Sequence, residues 1–154
     1  MSRRDQIVMT TDEVAAFLEQ ERVANVASMG PGGRPHLAPL WYLPEGPVLR
    51  TWTYGSSQKV KNLLRLPQAT VLVEAGGSYE ELRGVSMECD VEVVEDGERV
   101  AAIGADLMVR YSGNPEVAAS ASQFVRVQAA KRVGLVFTPT KVVSWDHRKL
   151  GGGY

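Results

Sequence analysis

The chain has 154 residues and a mass of 16.8 kDa, which fits one domain over residues 1–154. With 17 Lys and Arg against 18 Asp and Glu, its net charge of -1 excludes the strongly basic surface of proteins that bind nucleic acids or other polyanions without specificity. Its single cysteine, Cys89, excludes an intrachain disulfide and a multi-thiolate metal centre.

The sequence shows neither a signal peptide nor an apolar run of membrane-spanning length. Its two histidines, His36 and His147, stand in no recognised ligand spacing with acids or Cys89. We therefore expect a soluble cytoplasmic protein with no metal, no membrane partner and no nucleic acid partner.

The first third of the chain predicts a helix and a three-strand meander. Thr10–Glu13 has the pattern of a capping box, and Val14, Phe17 and Leu18 follow at helical spacing, so the helix is expected to end near Gln20. Strands are predicted at Val23–Met29, His36–Leu43 and Val48–Thr53, with turns at Gly30–Pro35 and Pro44–Pro47.

The rest of the chain alternates helices and strands. A helix after Ser56 and Ser57 is expected to bury Val60, Leu63 and Leu64. Pro67 stops this helix. A helix with apolar positions Val100, Ile103, Leu107 and Tyr111 and another beginning at Asn114–Glu116, with Val117, Ala121 and Phe124, are also predicted; strands are expected at Ala69–Ala75, Val85–Val93, Val133–Phe137 and Lys141–Trp145.

About seven strands, mostly joined by tight turns, favour an antiparallel barrel over a parallel sheet. In the strand around Cys89, apolar residues alternate with Glu88, Asp90 and Glu92, so we expect these acids to face solvent and the cysteine to be a small buried hydrophobe. The tail Gly151–Tyr154 is expected to be flexible unless a partner subunit orders it.

Lys59 and Lys61 lie where a helix begins, directly after Ser56 and Ser57. A helix N-terminus carries about half a positive charge, so lysines there are unfavourable unless an anion is present. A phosphate held by backbone N–H groups, serine hydroxyls and Lys59 resolves that conflict. The alternative is that both lysines point into water.

Aromatic, hydroxyl and cationic residues are concentrated in the same part of the sequence. Aromatic walls beside a phosphate site suit a flat phosphorylated heterocycle, because the ring stacks while the anion fixes its orientation. The alternative is that Trp41 and Trp52 are packing residues. The candidate set is Trp41, Arg50, Thr51, Trp52, Thr53, Tyr54, Ser57 and Lys59.

Three segments carry a resemblance to a known family: 36–42, 50–63 and 142–146. Together they resemble the pyridoxamine 5′-phosphate oxidase-like split β-barrel superfamily. The motif Ser57-Gln58-Lys59-x-x-Asn62-Leu63, with Leu66-Pro67 after it and Lys149-Leu150-Gly151-Gly152 near the end, is most similar to the branch that uses the deazaflavin coenzyme F-420 rather than FMN.

The resemblance implies a mainly β (α+β) fold, a split antiparallel β-barrel like that of FMN-binding proteins, with a few peripheral helices. It also implies a homodimer with the cofactor in a groove between subunits. Ser57 and Lys59 would hold the cofactor phosphate, within a motif that includes Gln58, and Asn62 would support the turn. The implied ring and ribityl contacts are Arg50, Thr51, Trp52 and Thr53, with Pro39 and Trp41 bordering the ring and Trp145 and Lys149 reaching it from the other subunit.

The implied activity is hydride transfer from the reduced deazaflavin to a conjugated small-molecule acceptor. No catalytic residue is assigned, and the proton donor is left open among solvent, Tyr54 and Tyr79. The segment Asp96–Lys131 is longer than in many small family members and is expected to form the substrate-side wall. Alternatives are an FMN-dependent oxidoreductase of the pyridoxamine-phosphate-oxidase type and a non-catalytic F-420 carrier; a single-stranded nucleic-acid module is disfavoured by the net charge.

Overall fold

The computed structural model describes residues 2–151. Its helices are α1 (Arg3–Ile7), α2 (Thr11–Gln20), α3 (Gln58–Arg65), α4 (Gly97–Ser112), α5 (Glu116–Ser120) and α6 (Ser122–Ala129). Its strands are β1 (Val23–Met29), β2 (Pro35–Trp41), β3 (Leu43–Glu45), β4 (Val48–Tyr54), β5 (Gln68–Ala75), β6 (Arg83–Val94) and β7 (Arg132–Asp146). The helices within residues 2–151 are too short or too polar to cross a bilayer.

The seven strands form one antiparallel sheet in the order β2-β1-β5-β6-β7-β4-β3. Its two edge strands, β2 and β3, are consecutive in the chain and are separated only by Tyr42. The sheet must therefore curl until its edges meet near that residue. Beyond it, β2 pairs with β1 while β3 pairs with β4, so the barrel is split between β2 and β4. This confirms the predicted split antiparallel β-barrel.

The inner face of the curled sheet is the main core. Helix α2 closes one end of it with Val14, Phe17 and Leu18, and α3 contributes Val60 and Leu63. The capping box at Thr10 is formed, because Glu13 N–H donates to Thr10 Oγ1 at 3.2 Å and Thr10 N–H donates to Glu13 Oε2 at 2.7 Å. The strands add mostly valine, methionine and leucine side chains: Val26, Val71, Val73, Val85, Met87, Val91, Val133, Leu135 and Phe137.

A second layer of helices covers the outer face of β4 and β7. Helix α4 packs Ile103 and Leu107 against Leu43 and Trp52. The indole of Trp52 lies so close to Gly104 that a Cβ on that glycine would come within 2.2 Å of the ring. The segment Asp96–Lys131, called the helical insertion below, therefore fixes the outer surface of β4. This strand precedes the turn that carries Lys59.

Several predicted boundaries are wrong. The expected strand His36–Leu43 is two strands interrupted at Tyr42, and only Gly46 and Pro47 form the following turn. Tyr42 is buried and its hydroxyl donates to Leu18 O at 2.7 Å, which turns the chain inward at the junction. The two predicted C-terminal strands are one strand, β7, with an irregularity in its pairing between Glu88 and Cys89 of β6.

Two helical faces were also predicted incorrectly. Leu64 is 59% exposed, and the fully buried side chain beside it is that of Asn62. The helix expected from Asn114–Glu116 is two short helices, in which Phe124 is exposed and Val125 is buried. Of the tail expected to be flexible, residues 152–154 lie outside the described part of the chain.

Candidate functional site

The N-terminus of α3 has polar groups that the described residues do not satisfy. Ser57 is the N-cap, as expected, but its side chain makes no capping hydrogen bond. Its hydroxyl is buried without a partner within residues 2–151. The N–H groups of Ser57 and Val60 donate to Tyr54 O and Ser57 O, each at 3.1 Å, which leaves those of Gln58 and Lys59 without an intrahelical acceptor. The first turn of α3 contains no acidic residue. This end of the helix therefore combines the N–H groups of Gln58 and Lys59 with the unpartnered Ser57 hydroxyl in one cluster.

Lys59 adds a positive charge to that cluster. Its amine donates to Thr53 Oγ1 at 3.2 Å, so the side chain reaches from α3 back to the end of β4. Burial lowers the pKa of Lys59 from its ordinary value of 10.5, because the charged amine loses solvation. Lys61, two residues later, is exposed. Of the two lysines in the motif, only Lys59 faces the split.

Asn62 stabilises the start of α3 through two side-chain hydrogen bonds. Its side chain is fully buried, accepts a hydrogen bond from Gln58 Nε2 at 2.8 Å and donates to Ser28 Oγ at 3.1 Å. Ser28 is on β1, opposite His36 of β2, whose Nδ1 is buried without a partner within residues 2–151. The amide of Asn62 thus fixes α3 against the strands on the β2 side of the split.

The four candidate residues on β4 divide between the two faces of the strand. Thr51 and Thr53 point inward and are buried, and Thr51 Oγ1 donates to Trp41 O at 2.6 Å across the junction of the edges. Arg50 and Trp52 point outward, since successive side chains of a strand alternate. Arg50 Nε lies 3.7 Å from Glu45 Oε2. Of these four residues, Thr53 contacts Lys59, and Thr51 lies on the same face of β4.

Trp41 and Pro39 lie on the exposed outer face of β2. The indole of Trp41 stacks on Tyr111 of α4, with ring centroids 4.2 Å apart and an interplanar angle of 5°. Tyr111 was predicted as an apolar position of a helix and not as a site residue. Its spacing in the sequence contains no signal that Trp41, 70 residues away, would stack on it.

Trp145 and Lys149 lie far from this cluster in the same chain. Thr53 pairs with Val133 at the start of β7, whereas Trp145 pairs with Gly84 near its other end, about 40 Å along the strand. Lys149 donates to Glu13 Oε2 at 2.6 Å and to Val8 O at 2.8 Å. One chain does not bring these two residues to the split.

The sequence profile of the pyridoxamine 5′-phosphate oxidase family matches residues 10–146. This range contains the split and the strands that frame it. It also contains the groups at the start of α3, namely Ser57, Lys59 and the first backbone N–H groups, which are called the α3 cluster below. The chain belongs to the pyridoxamine 5′-phosphate oxidase family. Flavin-type cofactor binding is typical of this oxidoreductase family.

Several solved structures share the architecture. A conserved hypothetical protein from Mycobacterium tuberculosis, Rv2991, is 36% identical, with a TM-score of 0.88 over 100% of this chain and 95% of that protein. An F420 reductase is 25% identical, with a TM-score of 0.63 over 82% of this chain and 93% of its own. An FAD-binding protein from Mesorhizobium loti shares the fold at 17% identity and a TM-score of 0.62, covering 89% and 94% of the two chains. No curated protein sequence matches the chain significantly.

The other side chains considered for a chemical role, as nucleophile or proton donor, lie outside the α3 cluster. Cys89 is buried, and burial raises the pKa of its thiol to about 12, which makes it unreactive at neutral pH. Tyr54 is half exposed and lies against the guanidinium of Arg132, whereas Tyr79 packs its ring against His147. Residues 2–151 contain no group of three metal-ligating side chains.

The residues at the split fit a phosphorylated cofactor. The N–H groups of Gln58 and Lys59, the orphaned Ser57 hydroxyl and the Lys59 amine all lie at the first turn of α3. Each is a donor or a positive charge, and a phosphate oxygen accepts from both kinds of group. Chemically, the arrangement is suited to binding and orienting an anion.

Proposed function

We propose that the protein is an F-420-dependent oxidoreductase that reduces a conjugated small-molecule acceptor. The observation that supports this most strongly is the buried, unpartnered Ser57 hydroxyl beside the Lys59 amine at the start of α3. A buried polar group without a partner costs about 1–3 kcal/mol, a cost that a bound phosphate removes. The F420 reductase with a similar structure supports the choice of cofactor.

The chain's own residues then have distinct roles. Lys59 and Ser57 hold the phosphate, and Asn62 and Gln58 keep the turn rigid. Thr51 and Thr53 line the inner wall of the split and Trp41 borders its mouth. Bound in its reduced form, coenzyme F-420 supplies the hydride, and the protein contributes orientation and exclusion of water.

The proposed active unit is a homodimer. The outer face of β1 and β2 is apolar and exposed, with Leu37 67%, Trp41 58% and Val23 42% accessible. Val23 lies opposite Trp41, and Leu37 lies on the same pair of strands. Contiguous exposed apolar surface of this kind is typical of an interaction site. A second copy there would supply the Trp145 and Lys149 that one chain keeps distant.

The second candidate is an FMN-dependent oxidoreductase of the same family. The α3 cluster recognises a phosphate and does not by itself distinguish a flavin from a deazaflavin. The FAD-binding structure with the same fold favours keeping this alternative. A non-catalytic F-420 carrier is the third, because binding requires only the cluster and the split.

Side-by-side titration of the purified protein with F-420 and FMN tests the proposal. We expect F-420 fluorescence to be quenched at lower concentrations than FMN fluorescence. Tighter FMN binding would favour the FMN-dependent oxidoreductase instead. Tight F-420 binding without turnover across a panel of conjugated acceptors would favour a carrier. The same sample sedimenting as a monomer with F-420 bound would contradict the homodimer.

The pH dependence of F-420 affinity should follow Lys59. Above pH 7 a phosphate ester keeps a nearly constant charge, whereas the lowered pKa of Lys59 makes it lose its proton below the ordinary lysine value of 10.5. Affinity is therefore expected to be highest near neutral pH and to fall as pH rises through that lowered pKa. Lys59→Arg should remove the fall, because a guanidinium stays charged over this range. An identical decline in Lys59→Arg would show that another group titrates.

A further inference from the structure

Tyr111, in the last turn of α4, is anchored by hydrogen bonds to residues outside that helix. Its hydroxyl accepts a hydrogen bond from Tyr42 N–H at 2.9 Å and donates to Arg22 O at 2.6 Å. Both partners lie outside the helical insertion, one between β2 and β3 and the other just before β1. The phenol therefore connects α4 to the point where the two edges of the sheet meet.

Two arginines restrict the Tyr111 ring further. The guanidinium of Arg22 lies 5.3 Å from the ring centroid, within the range of a cation–π contact. Arg110 donates to the backbone carbonyls of Glu19 at 3.0 Å and Glu21 at 2.9 Å, which ties the preceding residue of α4 to the end of α2. The ring of Tyr111 thus has a fixed position and a fixed plane.

The stack on Tyr111 fixes the orientation of the Trp41 indole. The two rings are parallel within 5° at 4.2 Å, although Trp41 remains 58% exposed. At the backbone, Thr51 Oγ1 holds Trp41 O at 2.6 Å. An exposed side chain normally samples several rotamers, and fixing it costs binding energy when a ligand arrives. In this protein the stack on Tyr111 fixes the Trp41 side chain before a ligand binds, so binding does not carry that cost.

The backbone of Trp41 is linked through β4 to the contact between Thr53 and Lys59. Thr51, which holds Trp41, is two residues from Thr53, about 7 Å along β4. Thr53 in turn accepts the hydrogen bond from Lys59. For its ring to reach the Trp41 indole on the outer face of β2, a cofactor with its phosphate at Lys59 must pass through the split beside Thr51 and Thr53.

We propose that Tyr111 is a positioning residue that holds the Trp41 indole as a stacking platform for the planar ring of the cofactor. This rests on the proposed function, because it assumes that a ring cofactor binds at the split. It gives the helical insertion a role in cofactor binding, in addition to covering β4. Tyr111 itself touches Trp41 and not the reacting atoms.

The test compares Tyr111→Leu, which removes the stack, with Tyr111→Phe, which keeps the ring and loses the hydroxyl. Aromatic stacking contributes enough that Tyr111→Leu should weaken F-420 binding about tenfold, with Tyr111→Phe within about threefold of wild type. Competition by inorganic phosphate should be unchanged in both variants. The near-ultraviolet circular dichroism that Trp41→Phe removes should also disappear in Tyr111→Leu.

Unchanged F-420 affinity in Tyr111→Leu, with that circular dichroism signal lost, would overturn the inference and leave the proposed function intact. Wild-type protein that binds neither F-420 nor FMN would overturn the proposed function and the inference with it. Should Tyr111→Leu not fold, Trp41→Leu serves as the second variant, since Trp41 is on an exposed edge strand. An equal F-420 affinity in Trp41→Leu would also overturn the inference.

Discussion

Lys59→Ala is expected to weaken F-420 binding by about 10- to 100-fold, because a hydrogen bond to a charged group contributes about 1.5–3 kcal/mol. Lys59 is the half-buried lysine of the α3 motif, and its amine already points to Thr53 at the end of β4. Its removal takes the positive charge from the cluster and leaves the Ser57 hydroxyl and the helix N–H groups. Residual binding through those donors is expected. Fluorescence titration with F-420 measures the change.

The matched control for this variant is Lys61→Ala. Lys61 has the same charge and lies two residues away on the same short helix, but it is exposed. Its replacement should change F-420 affinity by less than about threefold, because exposed charges are screened by solvent. Equal losses in both variants would show that general positive charge, rather than a built site at Lys59, attracts the cofactor.

Leu63→Ala is expected to lower the free energy of unfolding by about 2–5 kcal/mol, the range for removing a fully buried leucine side chain. Leu63 has no solvent-exposed surface and lies in the main core beneath α3. Urea denaturation followed by far-ultraviolet circular dichroism measures this loss. The substitution also loosens the helix that carries Lys59, so it tests the base of the candidate site.

Leu64→Ala is the control, with identical chemistry at the neighbouring position. Leu64 is 59% exposed, so its replacement should change stability by no more than about 0.5 kcal/mol. A larger loss in Leu64→Ala than in Leu63→Ala would mean that α3 is rotated by about 100° from the orientation described. Lys59 would then turn away from Thr53, and the proposed phosphate site would fail with it.

Local patterns predicted individual elements and an antiparallel barrel. The alternation around Cys89 predicted β6, and Thr10 with Glu13 predicted the start of α2, because both features depend on residues close in sequence. Together with the resemblance, they led to the split barrel. The break at Tyr42 was missed because its cause is a hydrogen bond to Leu18, 24 residues away.

The candidate site was only partly predictable for the same reason. The motif around Lys59 was visible as an electrostatic conflict at a helix start. Helical spacing alone allowed Leu64 to face the core, but the amide of Asn62 is buried because Ser28, 34 residues away, bonds it. Tyr111 became visible only when the fold brought α4 beside Trp41. Contacts between residues far apart in the sequence determined the positions of these side chains, and sequence spacing does not reveal such contacts.

The most direct measurement is a crystal structure of the protein with F-420 bound. We expect phosphate oxygens within hydrogen-bond distance of Lys59 Nζ, Ser57 Oγ and the first backbone N–H groups of α3, with the ring extending toward Trp41. A phosphate located elsewhere, with the Lys59 amine still on Thr53 and the Ser57 hydroxyl still unpaired, would contradict the account.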